Sequence, residues 1–255
     1  MMLVLSLFPG IGLLDEAFEL EGFTVVRGPD LLWGGDIRRF HVPPGRFDGV
    51  IGGPPCQAFS RLARLVEAQG HKVAENRIPE YERVVNEAQP SWFLMENVEE
   101  APEPSVNGYS VRSRVLNNRW LGEEQNRRRR FSFGVRTDVT SGDCYALDFS
   151  REEVTLENPL KASAVCARGC GRATPVAVGG SGKRKSSIRA ADRHTKESFK
   201  EACRLQGLPP DFDLPPFTVE GKIRAVGNGV PIPMGRAVAR CVRRSLGLPI
   251  ISGAT

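Results

Sequence analysis

Features typical of secreted or membrane-bound proteins are missing from this sequence. It has no apolar run of about 18 residues, the length that spans a bilayer. Met1 to Phe8 is too short and too uncharged for a secretory signal peptide. The six cysteines are irregularly spaced, which does not suggest a disulfide framework and favours a reducing compartment. We therefore expect a soluble, cytoplasmic protein.

Histidines and metal-binding patterns are scarce as well. The three histidines, His41, His71 and His194, lie in polar, loop-like sequence. A thiol protease or acyltransferase needs a base beside its nucleophile, so this distribution weakens acyl transfer as a function. Cys166 and Cys170 are close in sequence, but they lack further cysteines or histidines at ligand spacing. We expect no metal site.

The composition is that of an ordinary globular protein. The chain has 255 residues, of which 40% are apolar and 25% are charged. This is enough for one α/β domain, with or without a small appendage. The net charge of +5 permits a polyanionic partner without requiring one.

The first residues predict a strand, a glycine turn and a helix. Met2 to Phe8 is a continuous apolar run, typical of a strand buried on both faces. Pro9-Gly10-Ile11-Gly12 turns the chain, and Leu13 to Leu20 has helical composition. Such a turn lets the backbone approach a nucleotide, although many glycine turns are purely structural. After a second strand, Phe23 to Val26, Asp30 lies where dinucleotide-binding folds contact a ribose.

A stiff turn follows the next predicted strand. That strand, Phe47 to Ile51, leads into Gly52-Gly53-Pro54-Pro55, and Cys56 comes directly afterwards. Cys56 is thus expected at the carboxyl end of a strand, where open α/β sheets bind their ligands. A thiol on a rigid turn is a candidate nucleophile. The alternative is a buried and inert cysteine.

Two later strands place charged side chains where they can converge with Cys56. Trp92 to Met95 is a short apolar strand that leads to Glu96. Four consecutive arginines, residues 127–130, precede the strand Phe131 to Val135, and alternation would send Arg127 and Arg129 to one side. The alternatives are a solvated carboxylate and a solvated basic patch. A thiol, a carboxylate and arginines together suit attack on an electron-poor ring.

The second half of the chain changes character. From Thr140 to about Lys196 the periodicity weakens and Gly, Ser, Lys and Arg accumulate, which predicts a small loop-rich region. Gly108 to Leu116 predicts a further strand, and Glu197 to Leu205 and about Met234 to Leu246 predict helices.

Seven short motifs occur in an order that resembles the DNA (cytosine-5)-methyltransferase family. They are Phe8-Pro9-Gly10-Ile11-Gly12, Gly35-Asp36-Ile37, Pro54-Pro55-Cys56-Gln57, Glu96-Asn97-Val98, Gln125-x-Arg127-x-Arg129, Arg204-Leu205-Gln206-Gly207 and Gly227-Asn228-Gly229-Val230-Pro231. The resemblance implies an α/β fold: a Rossmann-like S-adenosylmethionine-dependent methyltransferase sheet with a small loop-rich target-recognition subdomain. The catalytic domain would comprise residues 1–139 and 197–255, its C-terminal helix packing on the N-terminal part. Residues 140–196 would form the target-recognition region.

The resemblance also implies a mechanism. The thiolate of Cys56 would add to carbon 6 of a flipped-out cytosine, so that carbon 5 can accept a methyl group from S-adenosylmethionine. Glu96 in its protonated form would hydrogen-bond the ring, and Arg127 and Arg129 would help to keep the site electropositive. S-adenosylhomocysteine would be the product of the cofactor.

Further roles come from the same resemblance. The cofactor-binding residues would be Phe8, Pro9, Gly10, Ile11, Gly12, Asp30, Asp36, Ile37, Pro55, Asn228 and Val230. The DNA-binding residues would be Gln57 and Ser60 in a loop over the base, with Lys183, Arg184, Lys185, Arg189 and Arg193 as a basic patch. The chain departs from the family pattern in three places. Ser6 stands where the family usually has an acidic residue, and Leu13 stands where it usually has a glycine. The helix between the second and third strands is nearly absent.

The expected partner is double-stranded DNA in a bacterial, archaeal or phage-infected cell, and no membrane. We expect a monomer, in a restriction-modification setting where any cognate endonuclease is not a stable subunit. Three alternatives stay open: an RNA (tRNA) cytosine-5-methyltransferase, a non-catalytic DNA-binding paralogue, and a nicotinamide-dependent oxidoreductase. The last is suggested only by the glycine turn and leaves Cys56 and the arginines unexplained.

Overall fold

A mixed six-stranded sheet with helices on both faces forms the centre of the protein. The computed structural model describes residues 2–55, 75–138, 146–153 and 196–250. The strands are β1 (Met2–Leu7), β2 (Phe23–Arg27), β3 (Gly49–Gly52), β4 (Trp92–Asn97), β5 (Tyr109–Asn117) and β6 (Arg128–Arg136). The helices of these segments are α1 (Leu13–Leu20), α2 (Ile78–Ala88), α3 (Lys196–Leu205), α4 (Val219–Asn228) and α5 (Ile232–Ser245).

The strand order is β2-β1-β3-β4-β6-β5. β1 pairs in parallel with β2 and β3, and β3 pairs in parallel with β4. β6 runs antiparallel to both β4 and β5, so that Asn97 at the end of β4 lies opposite Arg130 near the start of β6. The ends of β1 to β4 and the start of β6 therefore lie along one edge, which we call the carboxyl edge.

Two apolar layers cover the sheet. On one face α2 packs through residues that include Tyr81, Val84 and Val85 against Leu5 and Val50. On the other face α1 and α5 cover side chains of β1, β3, β4 and β6: Val4, Ile51, Trp92, Leu94, Phe131 and Phe133. Because both faces are covered, the inner strands β1, β3 and β4 are apolar almost throughout, as their sequences indicate.

The structure confirms the α/β fold class and the predicted strands and helices, and it adds helices that were not predicted. As expected, no α-helix lies between β2 and β3; the described residues there form 3-10 turns at Leu31–Trp33 and Ile37–Arg39. Asp30 and Asp36 cap these turns with their side chains and so favour them over an extended strand. Helix α4 was not predicted, because its glycines lower helix propensity.

Helix α5 packs closely against α1. A Cβ atom on Gly235 would lie 2.6 Å from the Cβ of Ala17, so the two helices meet where neither has a larger side chain. Glu21, buried just after α1, forms ion pairs with Arg236 and Arg240 of α5, and Arg240 also pairs with Glu152. These contacts join the C-terminal helix to the N-terminal part; the domain boundaries given above remain a prediction.

We predict that Gly235→Ala destabilises the protein even though alanine is the better helix former. The propensity gain of roughly 1 kcal/mol is smaller than the cost of about 1–3 kcal/mol for overpacking a helix contact. Urea unfolding should show a lowered midpoint. The double variant Ala17→Gly/Gly235→Ala should recover part of the loss beyond simple additivity. Additive effects in this cycle would show that the two positions do not meet as described.

Candidate active site

The turn between β1 and α1 has the backbone geometry of a ligand-binding loop. Phe8, Gly10 and Gly12 all have positive φ angles, of 56°, 57° and 85°. Glycine adopts this region freely, but for Phe8 it is a strained conformation of the kind found at functional sites. Gly12 is the N-cap of α1 and provides no side-chain cap, so the first N–H groups of the helix are left for another acceptor. The turn also contains Pro9 and Ile11.

Asp30 holds this turn from the side of β2. Its Oδ2 accepts a hydrogen bond from the Gly10 N–H at 2.9 Å, and its Oδ1 accepts from the Leu32 N–H at 2.7 Å. The indole of Trp33 donates to the Gly10 carbonyl at 2.6 Å, and its ring meets Phe217 edge-on. Asp30 is thus in the predicted region but already positions the turn. A ribose would have to share its oxygens.

Asp36 is also engaged within the protein. The Arg38 guanidinium contacts both of its oxygens, the closest Nη2–Oδ2 distance being 2.6 Å. This hydrogen bonding, with a further bond from the Arg38 N–H, lowers the pKa of Asp36 to about 2. Asp36 is therefore ionised at neutral pH. Ile37 beside it is buried, and its carbonyl accepts a hydrogen bond from Arg83 at 2.7 Å.

The end of β3 is attached to the end of β4. The Asn97 side-chain amide donates to the Pro54 carbonyl at 3.1 Å. A Cβ on Gly53 would lie 2.9 Å from Oε2 of Glu96, so only glycine allows the chain this close to the carboxylate. Pro55 is exposed, and Cys56, the next residue, lies outside the described residues.

Glu96 and Arg129 form an ion pair at the carboxyl edge. Arg129 Nε lies 2.9 Å from Glu96 Oε1, and the two side chains are only 19% and 11% exposed. In addition, Arg129 Nη1 donates to the Arg128 carbonyl at 2.7 Å, which fixes the guanidinium. The antiparallel pairing of β4 with β6 produces this contact, because it places the end of β4 beside the start of β6.

Arg127 has a different environment from Arg129. It precedes β6, is buried, and donates from Nη2 to the Gly229 carbonyl at 2.9 Å. Gly229 separates Asn228, the last residue of α4, from buried Val230. Arg127 therefore connects the start of β6 to the C-terminal segment predicted to close the cofactor pocket.

A cluster that was not predicted lies beneath the glycine turn. Asp15 of α1 is fully buried, and its Oδ1 accepts a hydrogen bond from the Ser6 hydroxyl at 2.5 Å. Its Oδ2 lies 3.1 Å from Nε of Arg27, the last residue of β2. Burial raises the pKa of Asp15 to about 6, against the hydrogen bond from Ser6 and the charge of Arg27.

Most of the predicted site residues thus lie along the carboxyl edge, and some lie outside the described residues. The second group comprises Cys56, Gln57, Ser60, Lys183, Arg184, Lys185, Arg189 and Arg193. Asn97 was not predicted as a site residue, although it belongs to the motif Glu96-Asn97-Val98. Asp15 and Arg27 were not predicted either; Ser6 was the available signal, because a hydroxyl in place of the usual acid leaves room for a carboxylate from elsewhere.

Neither a cluster of potential metal ligands nor a membrane-spanning helix is found in the described segments. They contain no group of three or more histidine, cysteine, aspartate or glutamate side chains that could hold a metal ion. None of their helices is long and apolar enough to cross a membrane.

The six-stranded sheet has the topology of the Rossmann-like methyltransferase fold. The fold is similar to solved methyltransferases: Dnmt2 of S. pombe, with a TM-score of 0.63 and 14% identity, and EhMeth of Entamoeba histolytica, with 0.59 and 11%. The first similarity covers 97% of this chain and 100% of that one, and the second 96% and 99%. These likenesses concern the fold alone.

The family follows from the sequence itself. Residues 34–165 match the C-5 cytosine-specific DNA methylase family, and the chain belongs to it. Type II methyltransferase M.NgoPII of Neisseria gonorrhoeae is 23% identical over 333 residues, covering 96% of each chain. M.FnuDI of Fusobacterium nucleatum is 25% identical over 332 residues, covering 96% of this chain and 95% of that one. Both aligned lengths exceed the 255 residues here, so the relatives contain segments that this chain lacks. The predicted activity, DNA (cytosine-5)-methyltransferase, is confirmed at this level.

We predict that Asp15 makes the protein less stable as the pH rises from about 4 to about 6. With its pKa raised from 3.8 to about 6 on folding, the native protein binds more protons than the unfolded chain in that window. As the pH rises from 4 to 7, the free energy of unfolding of Asp15→Asn should therefore increase by about 1–3 kcal/mol relative to that of the parent protein.

Urea unfolding of both proteins at several pH values measures this difference. Other carboxylates titrate in both proteins, so the comparison isolates Asp15, and asparagine can still accept the bond from Ser6. A difference that stays constant across the window would contradict the burial of an ionisable Asp15.

Proposed function

We propose that this protein transfers a methyl group from S-adenosylmethionine to carbon 5 of a flipped-out cytosine in DNA, with Cys56 as the covalent nucleophile. One observation carries the proposal: the Glu96–Arg129 pair lies directly against the Gly53-Pro54 turn that leads to Cys56. Asn97 fixes that turn by its bond to Pro54. The Glu96–Arg129 pair therefore lies beside the turn that precedes Cys56 in the chain.

The residues around the glycine turn fit the cofactor. Among the described residues nothing would lie within 4 Å of a Cβ on Gly10, so this side of the turn is open to a ligand. The uncapped start of α1 favours an anionic group, and Asp30 and Asp36 favour hydroxyl or amine donors. When bound, the cofactor supplies a methyl group on a positively charged sulfur. The proposed contacts are Phe8, Pro9, Gly10, Ile11, Gly12, Asp30, Asp36, Ile37, Pro55, Asn228 and Val230.

The proposed chemistry begins with the Cys56 thiolate, which forms a bond to carbon 6 of cytosine and moves an electron pair toward carbon 5. Carbon 5 would take the methyl group as the methyl–sulfur bond of the cofactor breaks with its electron pair left on the sulfur, and carbon 5 would then lose its proton to solvent. The electrons of that C–H bond restore the ring double bond, and the carbon–sulfur bond breaks to return the thiolate. Glu96 and Arg129 would hydrogen-bond the ring, where charge develops after the thiolate has added.

Two groups of polar and basic residues would recognise the DNA. Gln57 and Ser60 would contact the flipped base, and Lys183, Arg184, Lys185, Arg189 and Arg193 would bind phosphates with salt-dependent affinity. Residues 140–196 would form a short target-recognition region, in keeping with a chain shorter than its alignments to relatives. The cytoplasmic location and the monomeric state also remain predictions.

We predict that a 5-fluorocytosine oligonucleotide traps a covalent complex with the protein. Fluorine replaces the hydrogen that must leave carbon 5, so the adduct cannot resolve after methyl transfer. With S-adenosylmethionine present, mass spectrometry should show one oligonucleotide joined to Cys56. Cys56→Ala should form no adduct and should lose turnover.

Two other cysteines serve as matched controls for this experiment. Burial raises the pKa of the Cys203 thiol to about 11 and that of Cys241 to about 12, so both stay protonated at neutral pH. Cys203→Ala and Cys241→Ala should therefore still form the adduct. An adduct in Cys56→Ala, or methylation without any adduct in the parent protein, would refute the covalent mechanism.

We predict that DNA and not tRNA is the substrate. Labelled methyl groups should be incorporated into double-stranded oligonucleotides of varied sequence, at cytosine only, and not into tRNA. The reason is the family assignment, together with a region after β6 that is rich in lysine and arginine. Cys56→Ala gives the background. Incorporation into tRNA with none into DNA would reverse the assignment of the substrate.

A further inference from the structure

Arg27 places a positive charge over the glycine turn. It is the last residue of β2 and lies beside Ser6 of β1 in the sheet register. A Cβ on Gly12 would lie only 2.6 Å from both Cζ and Nη2 of Arg27. The guanidinium therefore covers Gly12 at the carboxyl edge, next to the N-terminus of α1.

A buried carboxylate fixes the position of this guanidinium. Arg27 Nε lies 3.1 Å from Asp15 Oδ2; Asp15 is fully buried, whereas 54% of the Arg27 side chain remains exposed. Ser6 holds the other oxygen of Asp15. An ordinary surface ion pair has two mobile partners. Here one partner is immobilised in the core, so Arg27 presents its outer edge in a defined place with N–H donors to spare.

Charge is distributed unequally along the turn. At Gly10 the Asp30 carboxylate lies 2.9 Å from the backbone nitrogen, which makes that end negative. At Gly12 the Arg27 guanidinium and the uncapped helix start make the other end positive. A ligand that suits both ends carries hydrogen-bond donors at the first and an anionic group at the second.

We propose that Arg27 binds the carboxylate of the amino-acid part of the cofactor, and that Asp15 is the residue that positions it. The proposal rests on the function proposed above. A guanidinium matches a carboxylate in a planar, two-point arrangement, and the helix N-terminus adds to the attraction. Arg27 is thus a determinant of cofactor specificity in the turn, beyond the motif residues.

Calorimetric titration with two ligands tests the proposal. S-adenosylhomocysteine contains the amino-acid part, and 5′-methylthioadenosine lacks it. Arg27→Ala should weaken binding of S-adenosylhomocysteine by about 10- to 100-fold, as expected for a charged hydrogen bond, and should leave methylthioadenosine binding unchanged. Arg112→Ala, which removes an exposed arginine of strand β5, is the matched control and should change neither.

Further variants separate this role from damage to the turn. Arg27→Ala leaves Asp15 buried beside no cation, so the double variant Asp15→Asn/Arg27→Ala removes both charges and should show the same selective loss. Asp15→Asn alone keeps the charge of Arg27 but not its anchor, and should weaken S-adenosylhomocysteine less.

Equal losses for both ligands, or no loss for either, would overturn the proposal. A loss of DNA affinity in Arg27→Ala with cofactor binding intact would overturn it in favour of a phosphate contact. A parent protein that binds neither ligand would reject the cofactor assignment, and this inference with it.

Discussion

The carboxyl edge depends on one reversal of strand direction. β6 runs antiparallel to β4, so its arginine-rich start lies beside the end of β4 and not at the far side of the sheet. A strand of nine residues spans roughly 30 Å, so a parallel β6 would carry Arg129 away from Glu96 by that distance. The ion pair is mostly buried, and such pairs contribute little to stability because desolvation offsets their attraction. Its place in the molecule is better explained by the site it forms than by stability.

Two hydrogen bonds carry this arrangement to more distant parts of the chain. Asn97 ties β4 to Pro54, and so to the turn before Cys56. Arg127 ties the start of β6 to Gly229, between α4 and α5. Two segments far apart in sequence are thereby held at one edge. Asn97, next to Glu96, holds the first, and Arg127, two residues from Arg129, holds the second. A shift of β4 against β6 would disturb the nucleophile turn and the C-terminal segment together.

Sequence reasoning found what depends on local patterns and strand ends. Glu96 was recognisable because it follows an apolar run, and Gly10 and Gly12 because a turn between strand and helix needs such residues. The Asp15–Arg27 pair was not recognisable from the sequence, because it joins a helix to a neighbouring strand and neither residue belongs to a motif. The 3-10 turns between β2 and β3 were not predicted for a related reason: Asp30 and Asp36 cap them through their side chains, which apolar periodicity does not report. The glycines of α4 concealed a helix whose stability comes from packing of residues such as Ile223 and Val226 against α1 and α3.

The order of the strands also separates the two charged substrates of the proposed reaction. Asp30 and Asp36 follow β2 at one side of the sheet, where carboxylates suit a cofactor with a cationic sulfur. The four arginines of residues 127–130 lie at the start of β6, toward the other side of the sheet, where they suit a polyanion. Gly53, Pro54 and Glu96 lie between, at the ends of β3 and β4. In the proposed reaction a methyl group would pass between the two ligands across this middle position, beside the turn that leads to Cys56. Arg27 is the exception on the acidic side, where its charge is paired with the buried carboxylate of Asp15.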